Sequence, residues 1–218
     1  MRAVAGTLGI AALLLGAAIS LQRGWSDILA FQGRAILPAW DARPRNLPAA
    51  AWTLGHERLQ RARALDPGNP NVTESIARLH ELRARGKPAP EAAPDLRLAL
   101  EYLRQSVRAR PGSPYTWANI AFVKSRLDRR DAEYLRALRH AAALGPWEPG
   151  VQLMLADIGL RDWDLLPAAA RGVVRAALSR GLRRQHAKLF ELARRHGKLH
   201  VLCATPGVQR SAQALACI

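Results

Sequence analysis

The chain has 218 residues, 49% of them hydrophobic, and carries 33 Lys and Arg against 17 Asp and Glu, a formal net charge of +16. That apolar content can bury a core, which excludes a disordered polyelectrolyte. An Ala, Leu and Arg bias with no persisting strand-like alternation excludes a sheet protein and predicts an all-α fold. Two readings of the basic excess compete, a functional attraction to phosphates, anionic lipid or acidic polymers and a merely solvated arginine surface.

Residues 3–21, AVAGTLGIAALLLGAAISL, carry no charge between Arg2 and Arg23. Nineteen apolar residues nearly match the length of about 20 that a helix needs to span a bilayer core. Three readings compete. A cleaved signal peptide finds a passable cleavage site at Ala18-Ile19-Ser20, and a buried core helix is a third choice. The run is long for a signal peptide, so the preferred reading is a retained signal anchor over residues 1–23, with residues 3–21 in the membrane. The positive-inside rule sets Arg2 and the free amine against Arg23, Arg34, Arg43 and Arg45, and taken literally keeps the body in the cytoplasm. A short basic N-terminus before one apolar run nevertheless resembles a bacterial inner-membrane signal anchor, which implies a single-pass protein with a periplasmic body.

Residues 24–48 are predicted to form a connector, in which Trp25, Ile28, Leu29 and Phe31 rest at the membrane interface or pack on the first repeat. A helical domain is expected over residues 49–200, opening with a helix at 49–65 whose inner face is Trp52, Leu59, Ala62 and Leu65. Three proline marks divide it: Pro67-Gly68-Asn69-Pro70, Pro111-Gly112-Ser113-Pro114 and Pro146-Trp147-Glu148-Pro149. In the first two a cap residue, Asn69 or Ser113, precedes a proline in the first helical turn, where its fixed φ helps and its missing N–H costs nothing. The marks are 44 and then 35 residues apart, the longer spacing including an insert, 87–94 (KPAPEAAP), expected to be a mobile excursion.

Between the marks the same register recurs, with Ile76 and Ala77, Ile120 and Ala121, and Leu155 and Ala156 on the first helix of each unit. In the central unit Trp117 precedes that pair, and Leu135, Leu138 and Ala141 or Ala142 form a stripe on the second helix. A period near 34 with these positions resembles the tetratricopeptide repeat, in a degenerate form. The first-helix tyrosine of that pattern is replaced by His80 or Lys124. The resemblance implies a helical-repeat solenoid, a core place for Trp117 between its two helices rather than a ligand-stacking one, and Asn119 and Lys124 as groove residues for a bound segment.

Further helices are expected at 69–86, 95–110 and 150–159, followed by a turn at Arg161-Asp162-Trp163-Asp164. Residues 165–181 and 182–196 then form a basic helical pair; from Arg171 to Lys198 there are nine Lys or Arg and one acid, Glu191. Arg175, Arg183, Arg184, Lys188, Arg194 and Arg195 are the candidate polyanion-binding residues. Residues 201–218 form a C-terminal tail. Its Cys203 and Cys217 either bridge in an oxidising compartment or remain free thiols, two alternatives the residues leave open.

Phosphate-binding loops, dinucleotide fingerprints, HExxH and G-x-S-x-G are all absent from the sequence. His56-Glu57 has Gln60 where a zinc protease has its second histidine, and Gly197 interrupts the helix that would align His196 and His200 with Cys203. Asp162 and Asp164 suit an acid and a base, but their place at a helix start makes capping the default. No catalytic residue, metal site or cofactor is therefore assigned, and a non-enzymatic role is expected.

The runs Ile76-Ala77-Arg78-Leu79-His80-Glu81-Leu82-Arg83, Arg110-Pro111-Gly112-Ser113-Pro114-Tyr115-Thr116-Trp117-Ala118-Asn119 and Leu144-Gly145-Pro146-Trp147-Glu148-Pro149 together resemble VpsP-type proteins, small membrane-associated proteins of bacterial exopolysaccharide systems. The resemblance covers about Trp52 to Leu160 and implies a role in polysaccharide biosynthesis or export, with protein components of that system as partners and no catalytic residue transferred. A scaffold that recruits them is the leading expectation, direct binding of an acidic polysaccharide the alternative; nucleic acid is not an expected partner.

Overall fold

The structure, a computed structural model, describes residues 2–38, 48–208 and 217. Among these residues every regular element is a helix and there is no strand. The chain divides into two compact units, residues 1–109 and 110–218. The expectations placed on residues 39–47 of the connector and 209–216 of the tail lie outside the described residues.

The first unit holds α1 (Arg2–Arg34), α2 (Ala49–Leu65), α3 (Pro70–Arg83) and α4 (Ala89–Ala109). Helix α1 is long and apolar enough to cross a membrane. Leu8, Leu13, Leu14, Leu15 and Leu21 are all exposed, with Leu13 at 76% and Leu21 at 75%. The predicted connector does not begin at Gly24, because the same helix continues to Arg34. A glycine inside a helix costs only about 1 kcal/mol, and packing outweighs it. From Gln22 onward α1 runs antiparallel along α2, the Gln22 amide donating to the Leu65 carbonyl at 2.6 Å and the Ser26 hydroxyl to that of Ala62 at 2.9 Å. The helices come closest where both are bare: a Cβ on Gly33 would stand 3.0 Å from the Gly55 carbonyl and 2.7 Å from Leu59 Cγ. Ala30 joins Leu59, Ala62, Val72, Ile76, Leu79 and Leu82 in one core cluster, with Leu29 packed against it. Trp25, Ile28 and Phe31 stay exposed on the other side of α1.

Asn69 caps α3, its side chain accepting the Asn71 N–H at 3.0 Å, and Pro70 opens the helix as expected. The insert is not an excursion. Helix α4 starts at Ala89 and takes Pro94 within its first turns, where Glu91 suits the helix dipole and Ala92 and Asp95 are buried.

The second unit holds α5 (Pro114–Arg126), α6 (Ala132–Leu144), α7 (Pro149–Arg161), a 3-10 turn (Trp163–Leu165), α8 (Ala168–Arg195) and α9 (Leu199–Cys203). Ser113 caps α5 and Asp131 caps α6, each through its side-chain oxygen. Helix α5 pairs with α6 and α7 with α8, and α7 also lies against α5. The expected helical pair over 165–196 is present as two helical segments that meet at a kink at Gln185 (φ −134°, ψ 26°), a few residues later than the predicted boundary at 181–182. There the Gln185 amide leaves its own helix to donate to the Pro149 carbonyl at 3.0 Å.

The repeated register is buried throughout, since Ile76, Ala77, Ile120, Ala121, Leu155 and Ala156 are all within 1% of full burial. On α6 the deepest residues are Tyr134, Ala137, Leu138 and Ala141, so the stripe is centred slightly before the predicted one and Leu135 is half-buried. Cys203 and Cys217 are joined in a disulfide.

Candidate functional site

Three residues occupy one register position on the first helix of successive pairs: His80, Lys124 and Gly159. Each settles contact with the second helix in its own way. His80 reaches Asp95 at the start of α4, Nδ1 lying 2.9 Å from the carboxylate. Lys124 donates to Asp131 at 2.8 Å and to Glu133 at 2.6 Å, at the start of α6. Gly159 has no side chain, and Val174 of α8 fills the space; a Cβ there would lie 2.3 Å from its Cγ2.

Lys124 is consequently not a groove residue. It is 1% exposed, with its ammonium held between two carboxylates. Burial without those partners would be costly, and the partners lie in the next helix's first turn, which the repeat pattern does not specify. Asn119, the other groove candidate, is half-buried on α5. Trp117 is half-buried too, stacked on His140 of α6 with ring centroids 4.6 Å apart and donating its indole N–H to the Pro111 carbonyl at 2.8 Å. It thus lies against the second helix, as expected, but at the edge of the pair rather than in the core.

A polar cluster in the first unit escaped the sequence reading. Trp52 and His56 of α2 stack at 4.6 Å, both rings meet His80 edge-on, and His80 stacks on Tyr102 at 6.0 Å. Arg83 lies over Trp52 at 3.7 Å and donates to Asp95 at 2.7 Å. The Gln60 amide lies 3.1 Å from His56 Nε2 and donates to the Tyr102 hydroxyl at 2.7 Å. Burial lowers the pKa of both histidines, with the Arg83 charge acting in the same direction. Burial would raise the Asp95 carboxyl, but hydrogen bonds from Arg83 and His80 outweigh it and hold it below its ordinary value. The arrangement that follows is a neutral His80 donating from Nδ1 to a carboxylate whose charge Arg83 balances. Its members come from α2, α3 and α4, too far apart in sequence for spacing to show; the nearest signal was the odd histidine at a tyrosine position.

Asp162 neither caps a helix nor stands free as an acid. Its carboxylate accepts from Arg130 at 2.8 Å and from the Tyr134 hydroxyl at 2.8 Å, and its side chain is fully buried. Burial and that hydrogen bond raise the Tyr134 phenol far above its usual range. Asp164 is exposed and pairs with Lys198 at 2.6 Å, which holds its carboxyl below the ordinary range. The two aspartates thus hold elements together.

The basic side of α8 stays open. Arg175, Arg183, Arg184, Lys188, Arg194 and Arg195 are all exposed. Arg175 and Arg171 lie over the Trp163 ring at 5.3 and 5.7 Å, and Arg195 pairs with Glu191 at 2.8 Å. A shallow cavity of about 320 Å³ lies between α7 and α8, lined by Leu153, Met154, Asp157, Lys188, Glu191, Leu192 and Arg195. Beside it His196 Nε2 stands 2.7 Å from Asp157, and Cys203 is in its disulfide. Among the described residues no group of three His, Cys, Asp or Glu is placed to hold a metal ion.

No protein-family profile and no curated protein matches the chain.

Proposed function

We propose that the chain is a membrane-anchored, non-catalytic helical-repeat scaffold of bacterial exopolysaccharide biosynthesis or export, with its body in the periplasm, where it recruits other assembly components. The observation that carries this reading is the continuity of α1. Its first half presents leucines on every side, and its second half contributes Ala30 and Leu29 to the core of the first unit. A first unit joined to its anchor through one packed helix is held at a set height and angle above the bilayer, which a flexible tether does not do. The Cys203–Cys217 disulfide supports an oxidising compartment. The recurrent buried register supports stacked repeats, whose exposed sides offer surface to partners. The exopolysaccharide assignment rests on the three sequence runs that resemble VpsP-type proteins.

A second reading, direct binding of an acidic polysaccharide, draws on the exposed cations of α8, whose attraction for a polyanion would fall steeply with salt.

Complementation tests the positional role. Cells lacking the chain are expected to lose exopolysaccharide output and to regain it with the intact protein. A variant with a Gly-Ser segment inserted after Arg23 should reach the membrane yet restore little. Equal rescue by both would refute the positional role, and unchanged output without the chain would refute the polysaccharide role.

A further inference from the structure

Trp147 is 65% exposed, yet it does not sit on a loose loop. The turn that presents it is fixed at each residue around it. The Glu148 N–H donates to the Gly145 carbonyl at 3.3 Å, the Gln152 amide to that of Pro146 at 2.9 Å, and the Gln185 amide to that of Pro149 at 3.0 Å. The kink in α8 thus spends its side chain on holding this turn. Pro146 and Pro149 restrict φ on either side.

The groups around the indole are placed as deliberately. The Arg180 guanidinium lies over the ring, 5.6 Å from its centroid. Glu148 accepts a hydrogen bond from Tyr115 at 3.2 Å, and Tyr115 is itself 41% exposed. The tyrosine ring fits there because residue 150 is glycine; a Cβ would stand 2.9 Å from Cε1. Arg183 and Arg184, one turn beyond Arg180 on α8, are exposed.

We propose that Trp147, flanked by Arg180 and Glu148, is a stacking platform for one sugar ring of an acidic oligosaccharide. An exposed indole face takes the C–H face of a pyranose by apolar contact. The Arg180 guanidinium over the ring donates and the carboxylate of the next residue, Glu148, accepts, a pair that matches hydroxyl groups which both donate and accept. Arg183 and Arg184 supply the charge for carboxylates on neighbouring sugars. A nucleic-acid strand fits the indole and the arginines equally well, but the disulfide argues for a compartment without nucleic acid. The platform rests on the exopolysaccharide reading only for the source of its ligand.

The test is calorimetric titration of the full chain in detergent with a short oligogalacturonate, with maltohexaose, oligo-dT and a proline-rich peptide as comparison probes. The intact chain should bind oligogalacturonate tightest. Trp147→Ala should weaken that binding about tenfold or more, the scale of one aromatic stacking contact, and Trp147→Phe should keep most of it. Arg180→Gln should weaken oligogalacturonate more than maltohexaose. Circular dichroism should show the same fold in every variant, Trp147 being exposed and Arg180 half-buried at the surface. Unchanged oligogalacturonate affinity in Trp147→Ala, no binding by the intact chain, or tighter Trp147-dependent binding of oligo-dT or the peptide would each overturn the proposal. Binding that persists when complementation fails leaves the platform standing and removes only the cellular role.

Discussion

At the scale of single residues, stability of the second unit leans on a few buried carboxylate contacts. Asp162→Asn keeps the shape but removes the charge that Arg130 faces, and should cost about 1.5–3 kcal/mol, the range for hydrogen bonds to charged groups, read as a lower urea midpoint. Lys124→Met should likewise destabilise, because Asp131 and Glu133 lose their shared cation. In the first unit the sign of pH dependence follows from the lowered values of His56 and His80. As pH falls through 6.5 the unfolded chain takes up protons that the folded unit resists, so stability declines with acid from there. Asp95, held below 3.8, adds a loss of the same sign further down. A urea midpoint that stays flat from pH 8 to pH 5 would show that the two histidines titrate alike in both states. None of these partnerships was legible in the sequence, since each joins residues on different elements: Tyr134 meets Asp162 across 28 positions and Gln60 meets Tyr102 across 42. Only the misfit of His80 and Lys124 with a tyrosine position marked the spots.

At the scale of elements, three glycines separate packing from propensity. Gly24 has open space around its missing Cβ, so Gly24→Ala should stabilise α1 by up to about 1 kcal/mol. Gly33→Ala meets Leu59 and the Gly55 carbonyl, and Gly159→Ala meets the branched end of Val174. Both should destabilise by about 1–3 kcal/mol, as overpacking does, with thermal midpoints of the three variants as the check. Element boundaries were legible where local chemistry sets them. Asn69, Ser113 and the prolines after them do what their side chains dictate at any helix start. Boundaries were missed where packing overrides local preference, as at Gly24, which reads as a break until α2 covers the adjacent turns of α1. The Ala-rich insert is a similar case, its helix held by buried Ala92 and Asp95.

At the scale of the molecule, the proposed function rests on the apolar N-terminal helix, the disulfide and the basic face of α8. Removing the disulfide with Cys203→Ser and Cys217→Ser should cost about 3 kcal/mol, the chain-entropy value for a loop of about 15 residues, and lower the thermal midpoint of the oxidised protein. The apolar run and the arginine-rich helix α8 were legible because composition alone declares them. The kink at Gln185, whose side chain holds the turn at Pro149, was not, because it joins residues 36 positions apart. The proposed function is a scaffold whose first unit is held by α1 on the periplasmic side of the membrane. Crosslinking the intact chain in native membranes, with a C-terminal reporter active only in the periplasm, tests that claim most directly. An active reporter and capture of polysaccharide-assembly proteins is the predicted result. An inactive reporter with capture of ribosomal or nucleic-acid-associated proteins would contradict it and make the +16 charge the chain's principal functional feature.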